Sequence, residues 1–337
     1  MKLFSLTISI LVSLSSFGQL KGIIADQYSH FELVHKKDTI DFVVADTSLS
    51  TVKPVLLFCQ GSQPVPLFFD FGSRGIIPVT LNNFDVREMK KKYHIVVISM
   101  PKTPIIVSPD HLNRSYSYVQ DTSIEHSYHP EYVKGDFLEN YVDRANTVIK
   151  YLVKQKWVDK RNIVVAGQSQ GSRVAVGIAH SNKRVTKLGL FGYNPKRRID
   201  QIIWGYRKQA QNGEITWEQA DSLQQEQYEF YQEVLNPDTV DAHPYLKSWK
   251  SFSTCSVSQL TELEIPVYIA FGSEDVIAEY CDLLPLDFAE KNKTNYVLKR
   301  YPDLEHNFFP VNEEGRPDYS NGQWINVMNS FIEWSLE

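Results

Sequence analysis

The sequence predicts an α/β fold, a mostly parallel, doubly wound sheet capped by one helical insertion. Three observations carry that expectation. Short, continuously apolar runs recur along the chain, the segments between several of them have helical periodicity, and one long interval breaks the alternation. Strands buried on both faces require such uninterrupted runs, and parallel neighbours require a long crossover between them.

The apolar runs are residues 55–59 (VLLFC), 95–99 (IVVIS), 163–166 (IVVA), 188–191 (LGLF), 267–271 (VYIAF) and 296–299 (YVLK). Between the second and third, residues 136–156 place Phe137, Tyr141, Ala145, Val148 and Leu152 three or four apart, which predicts an amphipathic helix. Residues 171–180 predict a second helix, and residues 325–336 (INVMNSFIEWSL) a closing one. Alternation of this kind implies helices on both faces of an open sheet.

Residues 194–265 contain no strand pattern. Within them Thr216 and Gln219 form a capping-box pair ahead of LQQEQYEFYQEVL, and Asn236-Pro237 ends that helix. Insertions of this length inside a regular alternation are usually functional, so a helical cap over the strand ends is expected.

Composition narrows the function classes. A hydrophobic content of 42% with 22% charged residues is that of an ordinary globular protein. The 35 basic and 40 acidic residues are interspersed, leaving a net charge of -5 and no basic stripe, so neither a nucleic acid nor an anionic membrane is an expected partner. Only Cys59, Cys255 and Cys281 are present, too few for a disulfide scaffold, and Cys59 inside its apolar run is expected as a buried thiol.

The first residues form a three-part export signal: Met1-Lys2, the apolar run at 3–12 (LFSLTISILV), and small residues Ser16 and Gly18 ahead of a cut. A membrane span needs about 20 apolar residues, so this run is too short for a stable anchor. The expected layout is a signal peptide at 1–18 and one domain at 19–337, secreted or periplasmic.

The segment that carries chemistry is NIVVAGQSQGSRVA at 162–175. A buried strand runs into Gly167-Gln168-Ser169-Gln170-Gly171, and a helix begins at once. G-x-S-x-G between strand and helix is the nucleophile elbow: the turn is tight enough to strain the serine and to need glycine on both sides of it. On this segment the chain resembles the α/β-hydrolase superfamily. Residues 157–171 (WVDKRNIVVAGQSQG) are similar to the approach to the elbow in secreted esterases and in the catalytic domain of prolyl-oligopeptidase-like peptidases.

The resemblance implies a Ser-Asp-His order along the chain, and the later residues fit it. After VYIAF comes Gly272-Ser273-Glu274-Asp275, and after YVLKRY comes Pro302-Asp303-Leu304-Glu305-His306-Asn307-Phe308. The pattern favours Asp275 over Glu274 as the acid and gives Asp303 a loop-shaping role. Ser169 is then the expected nucleophile, His306 the base and Asp275 the group that orients it. For the oxyanion the resemblance implies two backbone amides. One is Gln170, after the nucleophile; the other comes from Gln60-Gly61-Ser62, with Ser62 preferred to Gly61. Relatives often carry His-Gly at this place, and Gln60 departs from that pattern at a side chain that is not the donor.

His126 and His129, with Glu125 and Glu131, are spaced for a shared helical face, but Pro130 interrupts it and no third ligand is evident. Neither a metal nor a cofactor is expected, and residues 123–132 are expected along the pocket. Phe68, Phe69 and Phe71 read as core or rim, with a substrate-facing place as the alternative. The expected activity is ester hydrolysis on a small-molecule or peptide acyl substrate. The alternatives are an exopeptidase or amidase, an acyltransferase, and a non-catalytic binding protein that keeps the fold.

Overall fold

Alternation of apolar side chains decides which way each strand faces. In the computed structural model, which describes residues 18–36 and 38–337, Val55 and Leu57 enter one core while Leu56 and Phe58 enter another. Ile163 and Val165 against Val164 and Ala166 repeat the division, as do Val267 and Ile269 against Tyr268 and Ala270. Both faces of the sheet are therefore dry, which is why these strands read as continuous apolar runs.

Nine strands make the main sheet: β1 (Gly18–Ile24), β2 (Tyr28–His35), β3 (Asp38–Val44), β4 (Lys53–Cys59), β7 (His94–Ile98), β9 (Val158–Gln168), β10 (Val185–Phe191), β11 (Val267–Gly272) and β12 (Tyr296–Tyr301). Three short ones, β5 (Phe68–Asp70), β6 (Ile76–Pro78) and β8 (Ile106–Val107), form a small second sheet. The order in the main sheet is β1-β2-β3-β7-β4-β9-β10-β11-β12. The strands from β7 to β12 along that order are parallel, and they are the six expected from the apolar runs.

The antiparallel meander β1-β2-β3 was not expected. An antiparallel edge can keep one face wet, so its strands interleave polar residues and give no continuous run. Strand β1, GQLKGII, is exposed along most of its length. Residues 1–17, which hold all of the expected export signal but Gly18, lie outside the described residues. Among the described residues no helix is long and apolar enough to cross a membrane.

The helices are α1 (Val86–Met89), α2 (Pro130–Gly135), α3 (Leu138–Leu152), α4 (Gln170–Ser181), α5 (Arg198–Gln211), α6 (Trp217–Leu235), α7 (Pro237–Ala242), α8 (Pro244–Phe252), α9 (Val257–Thr261), α10 (Ala278–Glu290) and α11 (Trp324–Leu336). Val148 of α3, Val176 of α4 and Phe288 of α10 fill the core on one face; Met89 of α1 with Val327 and Phe331 of α11 fill the other. Helix α3 starts two residues later than its periodicity suggested, which leaves Asp136 in the break after α2. Phe68 and Phe69 are buried, and Phe71 packs beside Phe69. The three cysteines are unpaired, with Cys59 only partly buried.

Five helices, α5 to α9, occupy the interval between β10 and β11. At the start of α6 the Thr216 and Gln219 side chains each accept the other's backbone N–H, at 3.1 and 2.8 Å. Both ends of the interval are tied to α4 by one buried side chain. Arg173 donates through Nη1 to the carbonyls of Asn194 (3.1 Å) and Lys196 (2.6 Å), and through Nη2 to that of Thr254. Arg173→Met would leave those carbonyls without their partner, each costing about 1–3 kcal/mol. The expected result is a denaturation midpoint well below that of the native protein and faster protease nicking within residues 194–261, with Arg173→Lys in between. An unchanged midpoint would mean that the ends hold without the guanidinium.

Candidate functional site

After β4 the chain passes to β7 on one side of it, and β9 then joins on the other. Strand order thus reverses between β4 and β9, and open α/β sheets bind ligands outside the strand ends at such a reversal. The loops after β4, β9, β11 and β12 meet there.

Strand β9 and helix α4 are joined by Ser169 alone, held at φ 54° and ψ −123°. Left-handed backbone is strained for a residue with a side chain and persists only where its surroundings impose it. Here they do. A Cβ at Gly171 would lie 2.1 Å from the Cys59 carbonyl oxygen at the end of β4, and one at Gly167 would lie 2.1 Å from that of Gly171. Neither approach is open to any other residue. The Ser169 N–H is anchored on Phe191 O at 2.9 Å, and Ser172 Oγ donates to the Ser169 carbonyl at 2.5 Å.

His306 reaches this serine from the loop after β12. Its Nε2 lies 2.9 Å from Ser169 Oγ, and its Nδ1 lies 2.7 Å from Asp275 Oδ2. The loop is pinned by Phe308, which is fully buried and packs edge-on against Trp324 and Tyr301. Asp275, in the turn after β11, is 1% exposed, and its Oδ1 accepts the Ile277 amide at 3.2 Å. Glu274 points outward and is exposed. Asp303 takes the turn at φ 59° and its amide donates to Ser273 Oγ, while the Glu305 carboxylate accepts the amides of Asn307 and Phe309. Asp303 thus holds the loop through its backbone and Glu305 through its carboxylate. Burial alone would push the His306 pKa down, but the adjoining Asp275 charge and hydrogen bond outweigh it and hold the imidazole above its ordinary value.

Ser169 and His306 open into a cavity of about 710 Å³. Ser62 and Gln170 line it beside them. Gln170 is the first residue of α4, where an amide has no carbonyl one turn back to bond. Gly61 packs on the elbow: a Cβ there would be 3.8 Å from that of Ser169. All six residues expected at the site are thus brought together. From the 123–132 segment His126, Tyr128 and Tyr132 line the cavity, whereas His129 stacks on Tyr118 at 4.3 Å. Among the described residues no group of three or more His, Cys, Asp or Glu side chains could hold a metal ion.

Sequence reasoning missed the cavity's charged and aromatic walls, Asp136, Arg198, Tyr245 and Trp249. Asp136 accepts Tyr141 Oη and Ser248 Oγ, each at 2.8 Å, and Arg198 donates to Gln170 Oε1 at 2.8 Å. Asp136, in a break, and Arg198, at the start of α5, carry no mark in their spacing because their approach is set by the fold, whereas Tyr245 and Trp249 lie four apart on α8 and could have been read as one face of that helix. Tyr128 is pushed up to about 12, chiefly by burial and further by Glu125 and Asp136, so it stays a hydrogen-bond donor.

No protein-family model matches the chain, and no curated protein matches it in sequence. Solved structures match it in fold. Acylaminoacyl peptidase of Pyrococcus horikoshii superposes with a TM-score of 0.53 at 11% identity, over 93% of this chain and 44% of that one. A cold-adapted esterase from an Arctic intertidal metagenomic library gives 0.51 at 11%, over 96% and 100%. Acetyl xylan esterase 1 from Thermoanaerobacterium sp. JW/SL YS485 gives 0.50 at 13%, over 96% and 88%. The fold is that of the α/β hydrolases. In this α/β-hydrolase fold the sheet extends from the β1-β2-β3 meander to β12, and this chain spans less than half of the peptidase it resembles.

The geometry around His306 has a direct spectroscopic consequence. In an NMR titration its imidazole is expected to titrate above the ordinary value of about 6.5. Asp275→Asn removes the charge that holds it there and should bring the pKa below that of the native protein. An imidazole that titrates at the same pH in both proteins would contradict the assignment.

Proposed function

We propose that the protein is a serine hydrolase that cleaves carboxylic esters through an acyl-enzyme, with Ser169 as nucleophile, His306 as general base and Asp275 as its orienting acid. The observation that carries this is the unbroken hydrogen-bond chain from Ser169 Oγ through the His306 imidazole to a buried Asp275. A serine hydroxyl is a poor nucleophile until a base removes its proton, and an imidazole does so only with the correct nitrogen free. With Nδ1–H donated to Asp275, Nε2 faces Oγ as the acceptor.

Attack by Oγ on the substrate carbonyl transfers the serine proton to Nε2, and the carbonyl oxygen takes up the electron pair. The Gln170 amide and that of Ser62, with Gly61 as the alternative, would hold this oxyanion. Collapse expels the leaving alkoxide, which takes the proton from Nε2. Water then repeats the two steps, releasing the acid and restoring Ser169.

The cavity volume falls in the range of small-molecule sites. The α5–α9 helices act as a cap whose α5 and α8 wall the cavity, and residues 1–18 serve as an export signal. Esters are the first reading and an exopeptidase the second, since solved structures that share the fold are named as esterases and as peptidases alike.

A panel of p-nitrophenyl acyl esters beside aminoacyl and dipeptidyl p-nitroanilides separates the two. Turnover is expected on the esters, abolished by Ser169→Ala and reduced about 10⁴-fold by Asp275→Asn, which strands the imidazole in the wrong tautomer. Because the base must be neutral and its pKa is raised, kcat/KM should fall about tenfold per pH unit below a midpoint above about 6.5. Turnover of anilides alone would favour the peptidase reading, and turnover of neither would leave the acyl-enzyme reading without support.

A further inference from the structure

Resting on that function, we propose that Arg198 makes the site selective for acyl compounds that carry a carboxylate. Arg198 opens α5 and lines the same cavity as Ser169 and His306. Its neighbour Arg197 pairs with Asp200, whereas Arg198 pairs with no carboxylate among the described residues. The hydrogen bond its guanidinium makes runs from Nη2 to Gln170 Oε1, 2.8 Å away, the side chain next to the nucleophile. That leaves most of the five N–H donors of the fork for another partner.

The surroundings hold the fork in place without neutralising it. Its central carbon lies 5.0 Å from the Trp249 ring centroid and 5.7 Å from that of Phe252, so aromatic rings fix the cation while supplying no anion. The one carboxylate lining the cavity among the described residues is Asp136, and it is already met by neutral donors, Tyr141 Oη, Ser248 Oγ and Gln170 Nε2. A second guanidinium, Arg173, also borders the cavity. The wall beside the nucleophile is therefore net cationic, in a chain whose overall charge is -5. A planar fork with free donors is matched by a carboxylate, which can accept two parallel N–H bonds at once.

The test uses two substrate pairs in which one member carries the carboxylate and the other a neutral group of similar size in its place. Mono-p-nitrophenyl glutarate against p-nitrophenyl valerate places it on the acyl side. The second pair, 4-carboxyphenyl acetate against 4-carbamoylphenyl acetate, places it on the leaving side. In the native protein kcat/KM is expected to favour the acid by about tenfold or more in at least one pair, through KM, as charge-assisted hydrogen bonds warrant. That ratio should collapse in Arg198→Gln and survive in part in Arg198→Lys. Equal rates in both pairs, or a ratio unchanged by Arg198→Gln, would overturn the proposal. Dissociation constants of the same four compounds on Ser169→Ala, with and without Arg198→Gln, decide the matter independently of turnover. An acid preference there that vanishes with Arg198 supports selectivity even if no ester is cleaved, and its absence refutes it.

Discussion

The backbone of Ser169 cannot relax, and the site depends on that. Its left-handed conformation is held between a strand and a helix that approach until the Gly171 backbone meets the carbonyl of Cys59. Strain of this kind costs on the order of 1–3 kcal/mol and is sustained by the two cores that clamp β4 and β9, one of which also takes in α4. The turn lifts the hydroxyl clear of the sheet, turns the α4 N-terminus toward the space above it, and sets Gly61 against the elbow. A looser turn would lose all three together.

Around that fixed point the fold spends its polar groups sparingly. Asp275 is buried but keeps two partners, the imidazole and the Ile277 amide, so its charge is not left bare in the interior. The same holds for Arg173, whose guanidinium meets carbonyls at both ends of the α5–α9 interval. Arg198 is the contrast: it borders the cavity with an amide oxygen and aromatic rings for company, and it pairs with no carboxylate among the described residues. Asp275 and Arg173 are thus met by groups of the fold, whereas Arg198 faces the space where a ligand would sit.

How much of this was legible in the sequence follows from how far each signal reaches along the chain. The six parallel strands announced themselves because burial on both faces leaves no room for polar residues. The elbow was legible because its glycines are demanded within one turn, and the Thr216–Gln219 pair because a capping box is local. Asp275 and His306 could be picked out only because each follows a strand in the order that the resembled family requires. The β1–β3 meander was missed because its wet face breaks the apolar pattern. Helix α10 was missed as well: it carries Pro285 in its interior, which reads as a breaker. Asp136 and Arg198 were beyond reach, since their meeting at Gln170 is made by tertiary packing and by no periodicity.

We propose that one serine hydroxyl, at the carboxyl edge of the sheet, is made nucleophilic by its neighbours. Reaction of the native protein with a fluorophosphonate, followed by digestion and mass spectrometry, addresses it most directly. A single phosphonylated peptide carrying Ser169 is expected, formed far more slowly once His306 is replaced by Ala. Labelling that maps to another residue, or that proceeds at the native rate without His306, would contradict it.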